Sequence, residues 1–354
     1  LSASNQTPSR GALAVKHLPP AYFALVMATG IVSIAAQDFN LPFLAAALFA
    51  LSGVAYVVLA ALTVLRAACY PRLFFADMTD HRLGPGFFTA VAGSCVLGVQ
   101  FLVIAHSAAV ATGLLALGVV LWIGVTYTVF TAFTVKHNKP SLEHGITGTW
   151  LISVVAPQSI AVLAALLARQ WPQPDRLELN FFALSMWLWG GMLYIWIISL
   201  IFYRDSFFAF APSDMTPPYW INMGAMAIST LAGAWLVENA PDAPFLESLL
   251  PFLKGFTVFY WATGTWWIPM LFLLGAWRHI IQGFPLRYDP LYWGAVFPLG
   301  MYSVATRQMA IALNLPFLDP LPWAMFIAAL TAWTLIFAGL LWEARKLAPA
   351  ARHR

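Results

Sequence analysis

The sequence predicts an all-α polytopic membrane protein, and three observations predict it. Of the 354 residues, 61% are hydrophobic and only 9% are charged, against about 25% charged in soluble domains. Long apolar runs recur from one end of the chain to the other, leaving no room for a separate soluble domain. Lys and Arg gather in alternate connections between these runs, the pattern the positive-inside bias produces. The net charge of +4 is therefore a topology signal and not a nucleic-acid signal.

Ten spans are read in order, at 20–37, 42–66, 86–106, 108–135, 146–168, 178–204, 218–239, 246–280, 290–313 and 321–345. Each approaches or exceeds the roughly 20 residues a helix needs to cross a bilayer. The eighth is unusually long and is expected to tilt or to extend beyond the membrane. Residues 1–18 form an N-terminal tail, 19–346 a ten-helix transport domain and 347–354 a C-terminal tail. The first tail has no long apolar core before a cleavage site, so no signal peptide is expected. With the N-terminus in the cytoplasm, the inner tails and loops carry Arg10, Lys16, Arg66, Arg72, Arg82, Lys136, Lys139, Arg204, Arg278, Arg287, Arg345, Lys346, Arg352 and Arg354. The outer loops then carry only Arg169 and Arg176. An even number of spans returns the C-terminus to the cytoplasm, as expected of a multi-pass protein of the inner membrane.

The chain carries a weak internal repeat. Each odd-numbered span follows a proline: Pro19-Pro20, Pro85, Pro140, Pro217-Pro218 and Pro290. Four of the five continue with an aromatic pair: Tyr22-Phe23, Phe87-Phe88, Tyr219-Trp220 and Tyr292-Trp293. Proline suits a first helical turn and aromatics anchor at the headgroups. Any helix starting at the inner surface has reason to look so. The sharper reading is five helical hairpins around an axis.

Side-chain amides select the same alternation. Gln37, Gln100, Gln158, Asn222 and Gln308 all lie in odd spans, and the even spans hold only Asn180, at an edge. A buried amide must find partners or water. One amide alone reads as glue between helices. Five on alternate helices favour a shared polar path, with the even helices facing lipid. Hydroxyls on the odd spans join the candidate lining: Thr29, Ser33, Ser94, Ser153, Ser229, Thr230 and Ser303. Pro157, beside Gln158, and Pro298 each free a carbonyl that neighbours or water must satisfy, so they can pinch or widen such a path. Pro269, in an even span, is read as shape alone.

No Asp or Glu sits at mid-span; Glu143, Glu238, Asp289 and Glu343 lie close to span ends. Proton-coupled carriers usually place titratable groups at depth, so a passive conduit is favoured over a proton pump. The two cations inside spans, Lys254 and Arg307, are candidates for attracting anions, or else they snorkel to the interface. No HExxH, GxSxG or P-loop occurs, so no enzyme is expected. Cys69 and Cys95 form no CxxC pair and imply neither a disulfide framework nor a metal site. No cofactor is implied.

Three stretches carry a resemblance: PPAYFALVMATGIVSIA near the start, GTWLISVVAPQSIAVLA in the fifth span and WGAVFPLGMYSVAT in the ninth. In their order and spacing the chain resembles the tellurite-resistance/dicarboxylate transporter family. That family takes in TehA-like proteins, yeast malate permeases, fungal sulfite pumps and the slow-type anion channels of plant guard cells. The resemblance implies a homotrimer with one pore per protomer, five hairpins around each pore and the odd helices inside. It also implies that the phenylalanine before the ninth-span proline closes the pore, which here is Phe297 before Pro298. The function it implies is passage of small inorganic anions or C4-dicarboxylates such as malate, and the absence of acids at mid-span leads us to expect a positive, acid-free path. The alternative is a gradient-coupled dicarboxylate or sulfite carrier with alternating access. Nothing in the residues points to tellurium.

Overall fold

The computed structural model describes residues 10–286 and 288–347. Arg287, Arg352 and Arg354, with half of the N-terminal tail and most of the C-terminal one, lie outside the described residues. Ten long helices organise the described chain: α1 (Pro20–Asp38), α2 (Pro42–Cys69), α3 (Gly84–Val103), α4 (Ala108–Val135), α5 (Gly148–Ala168), α6 (Asp175–Phe207), α7 (Pro217–Glu238), α8 (Leu250–Ile281), α9 (Trp293–Leu313) and α10 (Pro316–Lys346). Among the described residues nine of these are long and apolar enough to cross a membrane, and α9 is not one of them. Its 21 residues include Gly294, Pro298, Gly300, Ser303, Thr306, Arg307 and Gln308. It is tolerated because Trp293 to Thr306 are buried by other helices, so protein and not lipid surrounds the polar groups of that stretch; Arg307, near its far end, is exposed.

The helices form two rings. Consecutive odd helices pack in a closed circle, α1 on α3, α3 on α5, α5 on α7, α7 on α9 and α9 on α1. Each even helix packs back on the odd helix before it, which makes five hairpins. All of α5's span is buried, against 11% for α2 and for α10. The even helices also reach across the grooves of the inner ring, α2 onto α3, α6 onto α7, α8 onto α9 and α10 onto α1.

The sequence repeat has a structural counterpart. Every inner helix opens with a 3-10 turn, at Pro20–Phe23, Gly84–Phe87, Gly148–Leu151, Pro217–Trp220 and Pro290–Tyr292. In four of them proline occupies the first or second position, where its missing N–H costs nothing. The fifth is different. Pro140 lies eight residues upstream of the turn and packs on Gly145. There the Thr147 side chain accepts from the Thr149 N–H instead. The long eighth span also resolves differently from expectation. A short helix, Pro244–Ser248, precedes Leu250–Ala276, which runs on into a π-helical turn at Trp277–Ile281. At their far ends α1 and α9 are followed by Asn40 and Asn314 with φ of 57° and 56°, a left-handed conformation that asparagine adopts more readily than most residues.

Candidate functional site

The inner ring encloses two cavities stacked on its axis. The one near the helix starts holds about 20 Å³ and is lined by residues of all five inner helices, among them Met27, Thr89, Val155, Ile221 and Phe297. The one toward the far ends holds about 170 Å³ and is again lined by all five, among them Ile31, Val96, Ser159, Ile228 and Met301. The axial positions follow a helical stripe. On α1 they are Ala24, Met27, Ile31, Ile34 and Asp38; on α5, Ile152, Val155, Ser159, Val162 and Leu166; on α9, Gly294, Phe297, Met301, Val304 and Gln308. All three alternate steps of three and four residues, which keep side chains on one face of a helix.

Phe297 is the last residue of α9 to line the narrow cavity, and Met301 is the first to line the wide one. The four residues between them rise about 6 Å. Phe297 is the one aromatic residue in the narrow cavity's lining and is 2% exposed. Phe297 therefore belongs to the narrow cavity's wall, on the turn of α9 next to the wide one. Pro298, taken with it as part of a gate, does not line either cavity. Its ring rests on α7, where a Cβ on Gly224 would come within 2.7 Å of Pro298 Cγ. Only glycine permits that close approach of α7 to α9.

The hydroxyl and amide candidates are placed differently from expectation. Ser33 donates to the Ala45 carbonyl of α2 at 2.7 Å, and Thr29 accepts from Trp333 Nε1 of α10 at 3.0 Å. Ser94 bonds Tyr56 of α2 at 2.7 Å, and Gln100 Oε1 accepts from Ser52 of α2 at 2.9 Å. Gln158 donates to the Trp187 carbonyl of α6 at 3.0 Å, and Ser303 to the Pro322 carbonyl of α10 at 2.6 Å. Ser153, Ser229 and Thr230 bond carbonyls of their own segment. Asn222 is fully buried and Pro157 is buried within α5. None of these residues lines either axial cavity. The correction has one physical cause: a polar group buried in a bilayer needs a partner, and six of these side chains find theirs on the outer helices. Gln100 and Gln158 are satisfied on one side only, leaving Gln100 Nε2 and Gln158 Oε1 unpartnered, and both Asn222 amide atoms are unpartnered.

The cations are also elsewhere than on the axis. Lys254 is exposed on the outer helix α8. Arg307 is exposed too, with its guanidinium 5.5 Å from the Phe39 ring centre. Among the residues lining the two cavities there is no Lys or Arg, and there is one acid, Asp38, with Gln308 from α9 in the same lining. The expected positive, acid-free path is thus corrected to an apolar one with a carboxylate at its far end. Asp38 escaped the sequence reading because it lies one residue past the first span. The signal that finds it is the stripe itself, four apolar residues at three-four spacing that end on an acid.

At the face of the helix starts, the buried Arg66 and Arg204 and the half-buried Arg278 tie the loops. Arg66 pairs with Asp77 at 2.5 Å and donates to the Lys16 carbonyl at 3.1 Å. Arg204 pairs with Asp214 at 3.0 Å, and Arg278 donates to the Met215 carbonyl. Burial would raise the Asp214 carboxyl, but the Ala211 N–H and Arg204 outweigh it and hold the group below the usual range. His81 stacks on Phe133 at 4.2 Å. Its burial, and then the charge of Lys136, push the imidazole below its ordinary value. At the far face both basic loop residues are paired, Arg169 with Glu238 at 3.9 Å and Arg176 with Asp242 at 3.1 Å.

Comparison with known proteins adds the family. Residues 17–341 match the SLAC1 family model, described as voltage-dependent anion channel. An uncharacterized transporter of Methanocaldococcus jannaschii is 25% identical over 338 residues, 91% of this chain and 92% of that protein. A sulfite efflux pump of Trichophyton rubrum is 25% identical over 346 residues, 92% of this chain and 90% of the pump. An uncharacterized membrane protein of Mycobacterium tuberculosis is 40% identical over 149 residues, 42% of this chain and 75% of that protein.

Proposed function

The chain belongs to the SLAC1 family of voltage-dependent anion channels, and on that premise we propose that it passes small anions along the axis of its inner ring, with Phe297 as the gate. The observation that supports this reading is that Phe297 is the one aromatic residue lining the narrow cavity, on the last turn of α9 before the wide one, with each cavity lined by all five inner helices. Removing that ring joins the cavities. The narrow cavity is framed by the starts of five helices, whose positive dipole ends favour an anion there without any basic side chain.

The substrates are small inorganic anions, with C4-dicarboxylates such as malate as the larger candidates. Similarity to a sulfite efflux pump adds sulfite to the panel and supports the second reading, a gradient-coupled carrier. The protein sits in the inner membrane with both termini in the cytoplasm, supported by the bias of fourteen basic residues to two. It assembles as a homotrimer with one conduit per protomer. The test is anion flux in proteoliposomes for chloride, nitrate, sulfite and malate, with a pH dye inside. A gated pore gives flux that rises in Phe297→Ala and ignores an imposed proton gradient. Saturating, proton-dependent flux that Phe297→Ala leaves unchanged would instead establish the carrier.

A further inference from the structure

The wide cavity ends on a charge that the proposed conduit does not need. Asp38 closes the axial stripe of α1 and lines the cavity together with Gln308, among walls that are mostly isoleucine, valine and leucine. The carboxylate is half-buried, while Arg307 on the neighbouring helix is exposed. Arg307 lies over the ring of Phe39, the residue next to Asp38, and its charge reaches the carboxylate. Among the described residues the two form no ion pair of the direct kind seen at Arg66 and Asp77.

These positions are not electrically equivalent. A charge against low-dielectric walls is weakly screened, and such walls focus its field into the cavity. The Arg307 guanidinium lies outside the cavity lining and is exposed, so its charge is not confined by the cavity's low-dielectric walls. The field on the axis is therefore set mainly by Asp38 and is negative, with Arg307 reducing it from outside. An anion crossing this point meets a repulsion proportional to its own charge, so a dianion is opposed twice as strongly as a monoanion.

We propose that Asp38, with Arg307 beside it, is a charge filter at the far mouth that passes monovalent anions and rejects divalent ones. The filter rests on the reading of the axis as an anion conduit and narrows its substrate class. Chloride, nitrate and singly charged oxyanions pass, and fully ionised sulfate or malate does not. Neither residue touches the Phe297 layer, so gate and filter are separate devices.

The test uses full-length protein in liposomes at about pH 8, above the carboxylate range, with Phe297→Ala as the open background. Chloride and sulfate fluxes are measured side by side. The background passes chloride well and sulfate poorly. Adding Asp38→Asn raises the sulfate-to-chloride ratio roughly tenfold, the order expected for one unit charge at about 12 Å and an effective dielectric near 20. Asp38→Glu keeps the low ratio, which separates charge from shape. Arg307→Gln, with Asp38 intact, lowers the ratio further, and it serves as the second reading should Asp38→Asn fail to fold. A ratio unchanged in Asp38→Asn, or raised in Arg307→Gln, overturns the filter while leaving the gate standing. Absence of flux for both anions in Phe297→Ala itself would overturn the conduit and the filter with it.

Discussion

The two faces of the inner helices differ in chemistry, and α9 shows the difference within one turn. Met301 and Val304 face the axis. Tyr302 bonds Thr265 of α8 at 2.7 Å, Ser303 bonds the Pro322 carbonyl of α10, and Thr306 accepts from Trp261 Nε1 of α8 at 3.0 Å. The polar face is turned away from the axis and the apolar face toward it. Between an inner and an outer helix in lipid there is little hydrophobic driving force, so packing and interhelical hydrogen bonds hold the rings together. The axis has the opposite requirement, because apolar side chains that meet there exclude water and ions.

The strongest way to break this contrast is to remove the axial ring. Phe297→Ala is expected to raise chloride flux tenfold or more, a barrier lowered by about 1.4 kcal/mol, while thermal stability falls because a buried aromatic is lost. A stable variant with unchanged flux would place the seal elsewhere on the axis. Gly224→Ala tests the packing behind the proposed gate. The new methyl meets the Pro298 ring and must displace α9 or α7, costing about 1–3 kcal/mol as overpacking does. A lowered melting temperature together with a partial leak is expected, and a leak-free variant of wild-type stability would show that the contact yields.

Peripheral substitutions sharpen the contrast from the other side. Ser303→Ala removes one bond to α10 and is expected to cost about 0.6–1.5 kcal/mol, with anion selectivity unchanged. A changed selectivity would return Ser303 to the pathway. The smallest effect concerns His81. Its folded pKa lies below the ordinary value, so on acidification the unfolded chain takes up a proton before the folded one does. Its contribution is therefore intact above the ordinary histidine range of about 6.5 and is lost as pH falls through that value toward the folded pKa. His81→Phe, which keeps the stacking on Phe133, should lose less stability than wild type between about pH 7 and pH 5. Parallel melting curves for the two proteins would remove the histidine from the account.

Much of the fold was legible because lipid enforces it. Ten long helical segments, the order of five hairpins and the inner position of the odd helices follow from length, proline placement and the segregation of amides. The site was less legible. The amides marked the inner helices, but of the five only Gln308 is on the lining of an axial cavity. Gln100 and Gln158 prefer a definite partner on α2 or α6 to an axis packed with aliphatic side chains. Asp38 was passed over because an acid at a span end resembles any loop residue until the stripe from Ala24 to Asp38 is projected onto a helix. Phe297 came from resemblance alone, since one phenylalanine among twenty-seven has no signature of its own.

The sequence by itself determined that this chain crosses a membrane as hairpins and which helices are enclosed, because hydropathy and the basic residues act locally, segment by segment. Only the tertiary structure decided which side of each enclosed helix meets the axis. That rotation is set by close contacts between distant segments, such as the Pro298 ring on Gly224 and the Gln158 amide on Trp187, and nothing local to either partner encodes it.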